Sequence, residues 1–382
     1  MGASPTGLAA IRALGEKGIR VRVADFKPDR PAFNSRFNGG AAINGDTVEQ
    51  IIENVLVATQ QESQPPIVIP TSDAMVLGLV EHRERYAGKL KTFHAIENGL
   101  AATMTDKAGF YQQCLDANVP TAKTAFPKTA DEMLALAESF QFPLLLKPVF
   151  GHLWRERLKG HKLLVANSQA DLNRIVDSFG DDADGLMVQE LVPGPEEDIW
   201  IGGVYRSETG QHDGCFVGQK TRQYPPDFGS ASYAKSLYKP EIEDLSWKFL
   251  DAVDYRGICG TEFKLDRRDG QYKIIEVNPR PTLWFHLVSA AGMNMFEYAF
   301  RDMAGERLTT PMNPQIPGVR WCFPDKDFLT WMHHFKRLNL SPLLTTFSPW
   351  NHGAVVSLRD PKPFLKISLY YMRRLRERFF SR

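Results

Sequence analysis

One stretch constrains this 382-residue chain more than any other: Gly260-Thr261-Glu262-Phe263-Lys264-Leu265-Asp266, a turn at Asp269-Gly270, then Ile274-Ile275-Glu276-Val277-Asn278-Pro279-Arg280. Two strand-like runs joined by an Asp-Gly turn read as a β-hairpin. Side chains two apart leave the same face of a strand, so Glu276 and Asn278 point one way, and Glu262 can meet them from the partner strand. Two carboxylates and an amide oxygen make a hard, oxygen-only site that suits Mg²⁺ bridging nucleotide phosphates. Arg280 follows at once, with the fork geometry that holds a phosphate or another oxyanion. The competing reading, a solvated hairpin, sits badly with Ile274, Ile275 and Val277, which mark the strand as buried.

The chain is long enough for two or three domains. Hydrophobic residues make up 43% and charged residues 24%, an ordinary soluble composition. A net charge of +1 gives no global attraction to nucleic acid or membrane, and no nucleic-acid module is recognisable. The four cysteines, Cys114, Cys215, Cys259 and Cys322, are widely spaced, against both a close-spaced zinc site and a disulfide framework. With no signal-peptide pattern and no apolar run long enough to span a bilayer, the expected compartment is the cytoplasm.

Residues 1–102 read as βα units. A helix over Gly7–Lys17 precedes an alternating strand Ile19–Val23, and a helix over about Thr47–Gln60 precedes a short apolar strand at Ile67–Ile69. Thr71-Ser72-Asp73 caps the next helix. The opening MGASPTG lacks the Gly-x-Gly-x-x-Gly spacing of a dinucleotide site, so a dehydrogenase has only this loop for support. Such a loop usually follows a central strand, so Ile19–Val23 and Ile67–Ile69 are expected to flank a gap. On this reading the recorded start lies about one strand length late.

Further along, Lys147 ends the buried run Phe142-Pro143-Leu144-Leu145-Leu146-Lys147-Pro148, and either snorkels to solvent or reaches an anion. Lys107 lies in the first turn of a helix, where a cation opposes the macrodipole unless an anion is bound. Val188-Gln189-Glu190-Leu191-Val192-Pro193-Gly194, followed by Glu196, Glu197 and Asp198, is a strand running into a Pro-Gly linker. It is either a nucleotide-binding segment or an interdomain connection.

In this order these motifs resemble the ATP-grasp superfamily, in its carboxylate–amine ligase branch, over about residues 103–305. The resemblance implies an α/β (α+β) fold: an ATP-grasp core of two α+β subdomains, preceded by a small parallel-sheet βα domain lacking its first strand. The implied boundaries are 1–102, 103–310 with a small lid subdomain at about 122–190, and a carboxy-terminal extension at 311–382. Lys107 and Lys147 would hold ATP phosphates. Glu190, Leu191 and Val192 would present backbone to adenine, with Glu197 or Asp198 at the ribose. Glu262, Glu276 and Asn278 would coordinate Mg²⁺, with Mn²⁺ as the alternative ion. Arg280, Lys220 and Arg222 would hold an acyl phosphate or substrate carboxylate, the last two from a loop over Gly218–Ser230.

The implied chemistry is activation of a carboxylate by the γ-phosphate, then attack by an amine, both small molecules. A homodimer is open to such a protein. The loop after Lys147 departs from the Gly/Ser-rich pattern of the superfamily, and Arg155, Arg157 and Lys159 bring side-chain charge there instead. From Lys362 to Arg382 there are seven basic residues and one acidic. That stretch reads either as a surface helix or as a peripheral contact with the inner membrane face. The alternative to an enzyme is a nucleotide-binding scaffold or regulator at that surface, without turnover.

Overall fold

The computed structural model of the chain describes residues 1–149, 158, 163–179, 185–306, 312–334, 341–349 and 351–368. Helix α1 (Pro5–Gly15) starts on Pro5, where a missing N–H costs nothing, and Thr6–Leu14 are buried nearly all round. Such a helix needs neighbours on every side. It packs against the short turn Pro31–Asn34 and against helices Phe285–Ala290 and Met295–Met303. Strands β1 (Ala24–Asp25) and β2 (Ile43–Asn44) pair in parallel, Ala24 opposite Ile43. Helices α2 (Val48–Thr59) and α3 (Asp73–Glu81) follow, the first capped by Thr47 on the Gln50 N–H and the second by Ser72 on the Met75 N–H.

Ile19–Val23 and Ile67–Ile69 do not form ladders. Each run makes one bridge, Val21 to Asn38 and Ile67 to Lys91. Both runs line a cavity of about 490 Å³. Met1 and Gly2 span it at one end: the Met1 amino group donates to Ile69 O at 2.8 Å and the Gly2 N–H to Ala24 O at 2.7 Å.

A second body follows. Strands β3 (Thr124–Ala125), β4 (Leu144–Pro148), β5 (Leu164–Ala166) and β6 (Leu186–Glu190) form an antiparallel sheet ordered β3-β6-β4-β5. Leu144 and Leu146, two apart on β4, face helices Ala130–Ala137 and Gln169–Phe179 and are fully buried. With Met133, Leu172, Val176 and Val188 they form a core separate from the main one.

The main sheet is built from β7 (Ile199–Arg206), β8 (His212–Tyr224), β9 (Ser230–Ser236), β10 (Gly257–Asp266), β11 (Gln271–Asn278), β12 (Arg320–Cys322) and β13 (Asn351–Gly353). Its order is β11-β10-β7-β8-β9-β12-β13, antiparallel except for the β12–β13 pair. The anticipated hairpin is β10–β11, turning at Gly270, whose φ of 72° is one glycine adopts without strain. The carboxy-terminal segment extends this same sheet and returns to α1. There the Arg12 guanidinium meets Asp360 at 3.0 Å, and Asp360 also accepts from the Ser35 hydroxyl and the Arg36 N–H. Both members of that pair are buried.

Apart from Leu158, the basic loop 151–160 lies outside the described residues, as does the carboxy-terminal stretch from Leu369 onward. Among the described residues, no helix is long and apolar enough to cross a membrane.

Candidate active site

Lys107, Lys147, Lys220, Glu262, Glu276, Asn278 and Arg280 all line one cavity of about 920 Å³ between the two larger sheets and the amino-terminal helices. The hairpin register explains the carboxylates. Glu262 stands directly opposite Glu276, and Gly260 opposite Asn278. Directly opposed residues carry Cβ atoms about 5 Å apart, close enough for both carboxylates to share one cation. A side chain at Gly260 would collide with Thr282, whose Cγ2 stands 2.6 Å from where its Cβ would lie.

Several of these groups already have a partner. Lys220 Nζ lies 2.8 Å from a Glu262 carboxylate oxygen, and both side chains are almost wholly buried. Asn278 Oδ1 accepts from Arg280 at 3.0 Å. Glu276 opens onto the cavity, but protein walls surround it. Burial first, and then the facing Glu262, push its carboxyl above the ordinary carboxylate range. A divalent cation between the two would relieve both effects. Among the described residues no cluster of three or more His, Cys, Asp or Glu forms a cation cage. Two carboxylates and one amide oxygen fit Mg²⁺, which keeps other positions for phosphates and water.

On the opposite wall, Lys147 Nζ donates to Gln189 Oε1 at 2.7 Å, and Lys107 Nζ donates to Pro148 O at 2.8 Å. Gln189 is itself fixed by donating to the Thr124 hydroxyl. Burial lowers the Lys147 pKa to about 8, with Glu276 raising it and Lys107 lowering it further. Burial also lowers Lys107, against Glu276, Asp106 and Asp73. Two ammonium groups held part-desolvated across from two carboxylates suit polyanionic phosphates with their metal. The position of Lys107 at a helix start, unfavourable in isolation, is offset by the Asp106 cap on the Gly109 N–H.

Other expectations need correction. Gly218–Tyr224 is not a loop but part of β8. Lys220 and Arg222, two apart, would share a face of a regular strand, but the register shifts between them. Arg222 thereby leaves the cavity and makes a two-pronged ion pair with the fully buried Asp327, Nε donating at 2.7 Å, while its ring-facing side lies over Tyr233. Glu190, Leu191 and Val192 do not line the cavity. The Glu190 N–H donates to Lys123 O and the Leu191 N–H to Pro143 O, so neither is offered to a base. The Glu190 carboxylate accepts from the Gln141 N–H. Asp198 is buried and held by both prongs of Arg267, at 2.7 and 2.8 Å, while Glu197 is exposed; neither borders the cavity.

The structure adds residues that strand and helix patterns did not mark. Asp73, Ser72 and Thr6 bring the starts of α3 and α1 to the cavity, and Lys326 enters from the carboxy-terminal segment to donate to the Ser230 hydroxyl. The stretch from Gln223 to Ser230 borders it too, held by Glu196, which accepts the Gln223 and Asp227 N–H groups. Thr282 and Trp284 also border it, and Thr282 Oγ1 and Trp284 Nε1 have no hydrogen-bond partner among the described residues. One signal for Asp73 was visible: a polar Thr-Ser-Asp run after a short apolar strand, where α/β units gather ligands.

The chain is similar to several known proteins. Residues 233–310 match the family described as carbamoyl-phosphate synthase L chain, ATP binding domain. A D-aspartate ligase of Enterococcus faecium is 26% identical over 220 residues, which cover 54% of this chain and 51% of that ligase. The chain thus spans about half the length of that relative. An N5-carboxyaminoimidazole synthetase of Staphylococcus aureus superposes with a TM-score of 0.66 at 14% identity, covering 88% of this chain and 84% of its own. The biotin carboxylase domain of the Hydrogenobacter thermophilus 2-oxoglutarate carboxylase, solved as a dimer with MgADP and bicarbonate, gives 0.63 at 16%, covering 84% and 72%.

Proposed function

We propose, from its membership of the ATP-grasp superfamily, that this chain is an ATP-dependent ligase that activates a carboxylate as an acyl phosphate and passes it to an amine. The observation that carries the reading is the meeting of Lys107, Lys147, Glu262, Glu276 and Asn278 on one cavity. In this reading Lys107 and Lys147 neutralise the ATP phosphates, and Glu262, Glu276 and Asn278 hold Mg²⁺. The metal supplies charge neutralisation at the transferring phosphoryl group. Lys220, which pairs with Glu262, and Arg280 would hold the oxyanion of the acyl phosphate. The unpaired hydroxyl of Thr282 and the Lys326 ammonium border the end where a polar substrate would sit. The protein's part is positioning and electrostatic stabilisation, because the phosphoryl transfer itself needs little covalent chemistry.

The test is ADP release from MgATP across a panel of carboxylates and amines, with Glu276→Gln as the control. Turnover that needs both substrates and falls at least ~100-fold in the variant supports the ligase, since one electrostatic partner of a transition state is worth about that much. MgATP bound normally, with no ADP formed on a broad panel, would instead mean a scaffold. A peripheral contact with anionic lipid is a second proposal. It rests on the seven basic and one acidic residues from Lys362 to Arg382 and on the exposed apolar side chains of Met332, Phe347 and Leu365 nearby in sequence. Co-sedimentation with phosphatidylserine vesicles but not with phosphatidylcholine ones would support it.

A further inference from the structure

We propose that Asp73 is an internal stand-in for the anionic group of the substrate, held on Arg280 until a substrate oxyanion displaces it. The proposal rests on the ligase reading above and names how its anion site is kept and opened.

Arg280 has little donor capacity to spare. Its Nε donates to Asp73 Oδ1 at 2.6 Å and its Nη2 to Asp73 Oδ2 at 3.0 Å, so Asp73 fills the whole fork edge. Nη2 also donates to Asn278 Oδ1 at 3.0 Å, and Nη1 to Pro281 O at 3.1 Å. The fork edge is the face that binds carboxylate or phosphoryl oxygens with two parallel bonds. An incoming oxyanion can take it only if Asp73 leaves.

The partners differ in how easily they can go. Pro281 O and Asn278 are one and two residues away, fixed by the same turn. Asp73 comes from the amino-terminal domain, 207 residues distant, and its side chain is 52% exposed against 14% for Arg280. A released Asp73 is not stranded, because it is the first residue of the nine-residue helix α3, whose N-terminus favours a negative charge in water. The exchange therefore replaces one carboxylate–guanidinium pair by another and strands neither charge.

Location agrees. Asp73, Arg280, Ser72 and Thr6 border the same cavity as the metal face, so an anion presented to Arg280 stands beside Glu276 and Asn278. The negative charge of Asp73 is felt by both Glu276 and Lys107. While Asp73 stays in place, a second anion at that corner meets its repulsion as well as an occupied fork. The ligand class is a small carboxylate or acyl phosphate. The consequence is that anion binding loosens the tie between the amino-terminal domain and the hairpin.

The probe is acetyl phosphate, titrated by calorimetry into the full chain loaded with MgADP. Asp73→Asn keeps an acceptor oxygen but loses the charge, and it should bind the probe about three- to fivefold more tightly than the native chain, the worth of releasing a half-exposed ion pair. Asp73→Glu restores the charge and should return the affinity to the native value. In an Arg280→Gln background the Asp73→Asn gain should vanish. Equal or weaker probe binding by Asp73→Asn, or a gain that survives Arg280→Gln, overturns the proposal. The MgADP titration that precedes each run separates the two readings. Failure to bind MgADP counts against the nucleotide site itself, whereas normal MgADP binding without the Asp73→Asn gain counts against Asp73 alone.

Discussion

In the proposed function Lys147 makes nucleotide binding proton-coupled, and the size of the coupling follows from its surroundings. Burial holds its pKa at about 8, below the ordinary lysine value. Phosphates bound against it favour the charged form, so the pKa rises on binding and the complex forms with Lys147 protonated. At pH 7 a group with that pKa is about nine-tenths charged, and at pH 9 about one-tenth, so the free protein must take up a proton to bind at the higher pH. The affinity for MgADP should accordingly fall about tenfold from pH 7 to pH 9, equivalent to about 1.4 kcal/mol. The assay is calorimetric titration of MgADP in buffers of different ionisation heat, which reads affinity and proton uptake together. Lys147→Met should bind more weakly at pH 7 but lose most of the slope. A flat native profile over this range, or an unchanged slope in Lys147→Met, would refute a lysine poised by burial to meet phosphate.

Asp327→Ala leaves Arg222 facing a buried void and should cost about 3–5 kcal/mol, seen as a lowered thermal midpoint. Phe263→Ala empties a fully buried site in β10 and should cost about 3–5 kcal/mol in urea unfolding, with the slope unchanged. Asp266, held by Arg268 and Lys273, has its carboxyl well below the usual range, so its contribution is present above the unfolded value and lost as pH falls through the folded one. Asp266→Asn should therefore lower stability at pH 7 and flatten the decline below about pH 4, followed by circular dichroism.

What could be read from the sequence was what local periodicity carries. The Asp-Gly turn and the two-residue spacing of Glu276 and Asn278 put both side chains toward one cavity, because strand geometry alone decides which way they point. Lys147 was marked by an ionisable group ending a buried run, and Lys107 by a cation at a helix start. Arg222 went wrong for a tertiary reason. A register shift turns it, and its partner Asp327 lies 105 residues on, in a segment with weak patterning. The resemblance put Glu197 or Asp198 at a ribose, and Asp198 is instead paired with Arg267 from the hairpin turn, a contact that local pattern does not carry. Asp73 read as a helix cap, which describes its backbone setting and not its pairing across the fold.

The pair between Arg12 and Asp360 sets an order of events during synthesis. Their separation of 348 residues means that the first helix leaves the ribosome long before the carboxylate that neutralises it. Until then Arg12 must stay hydrated, and α1 cannot bury all its faces. Contacts this distant in sequence form late and slow the final step of folding. The α1 unit is thus made well before the segment that completes it, so a chain halted before residue 360 should expose α1 to proteases that the finished protein resists.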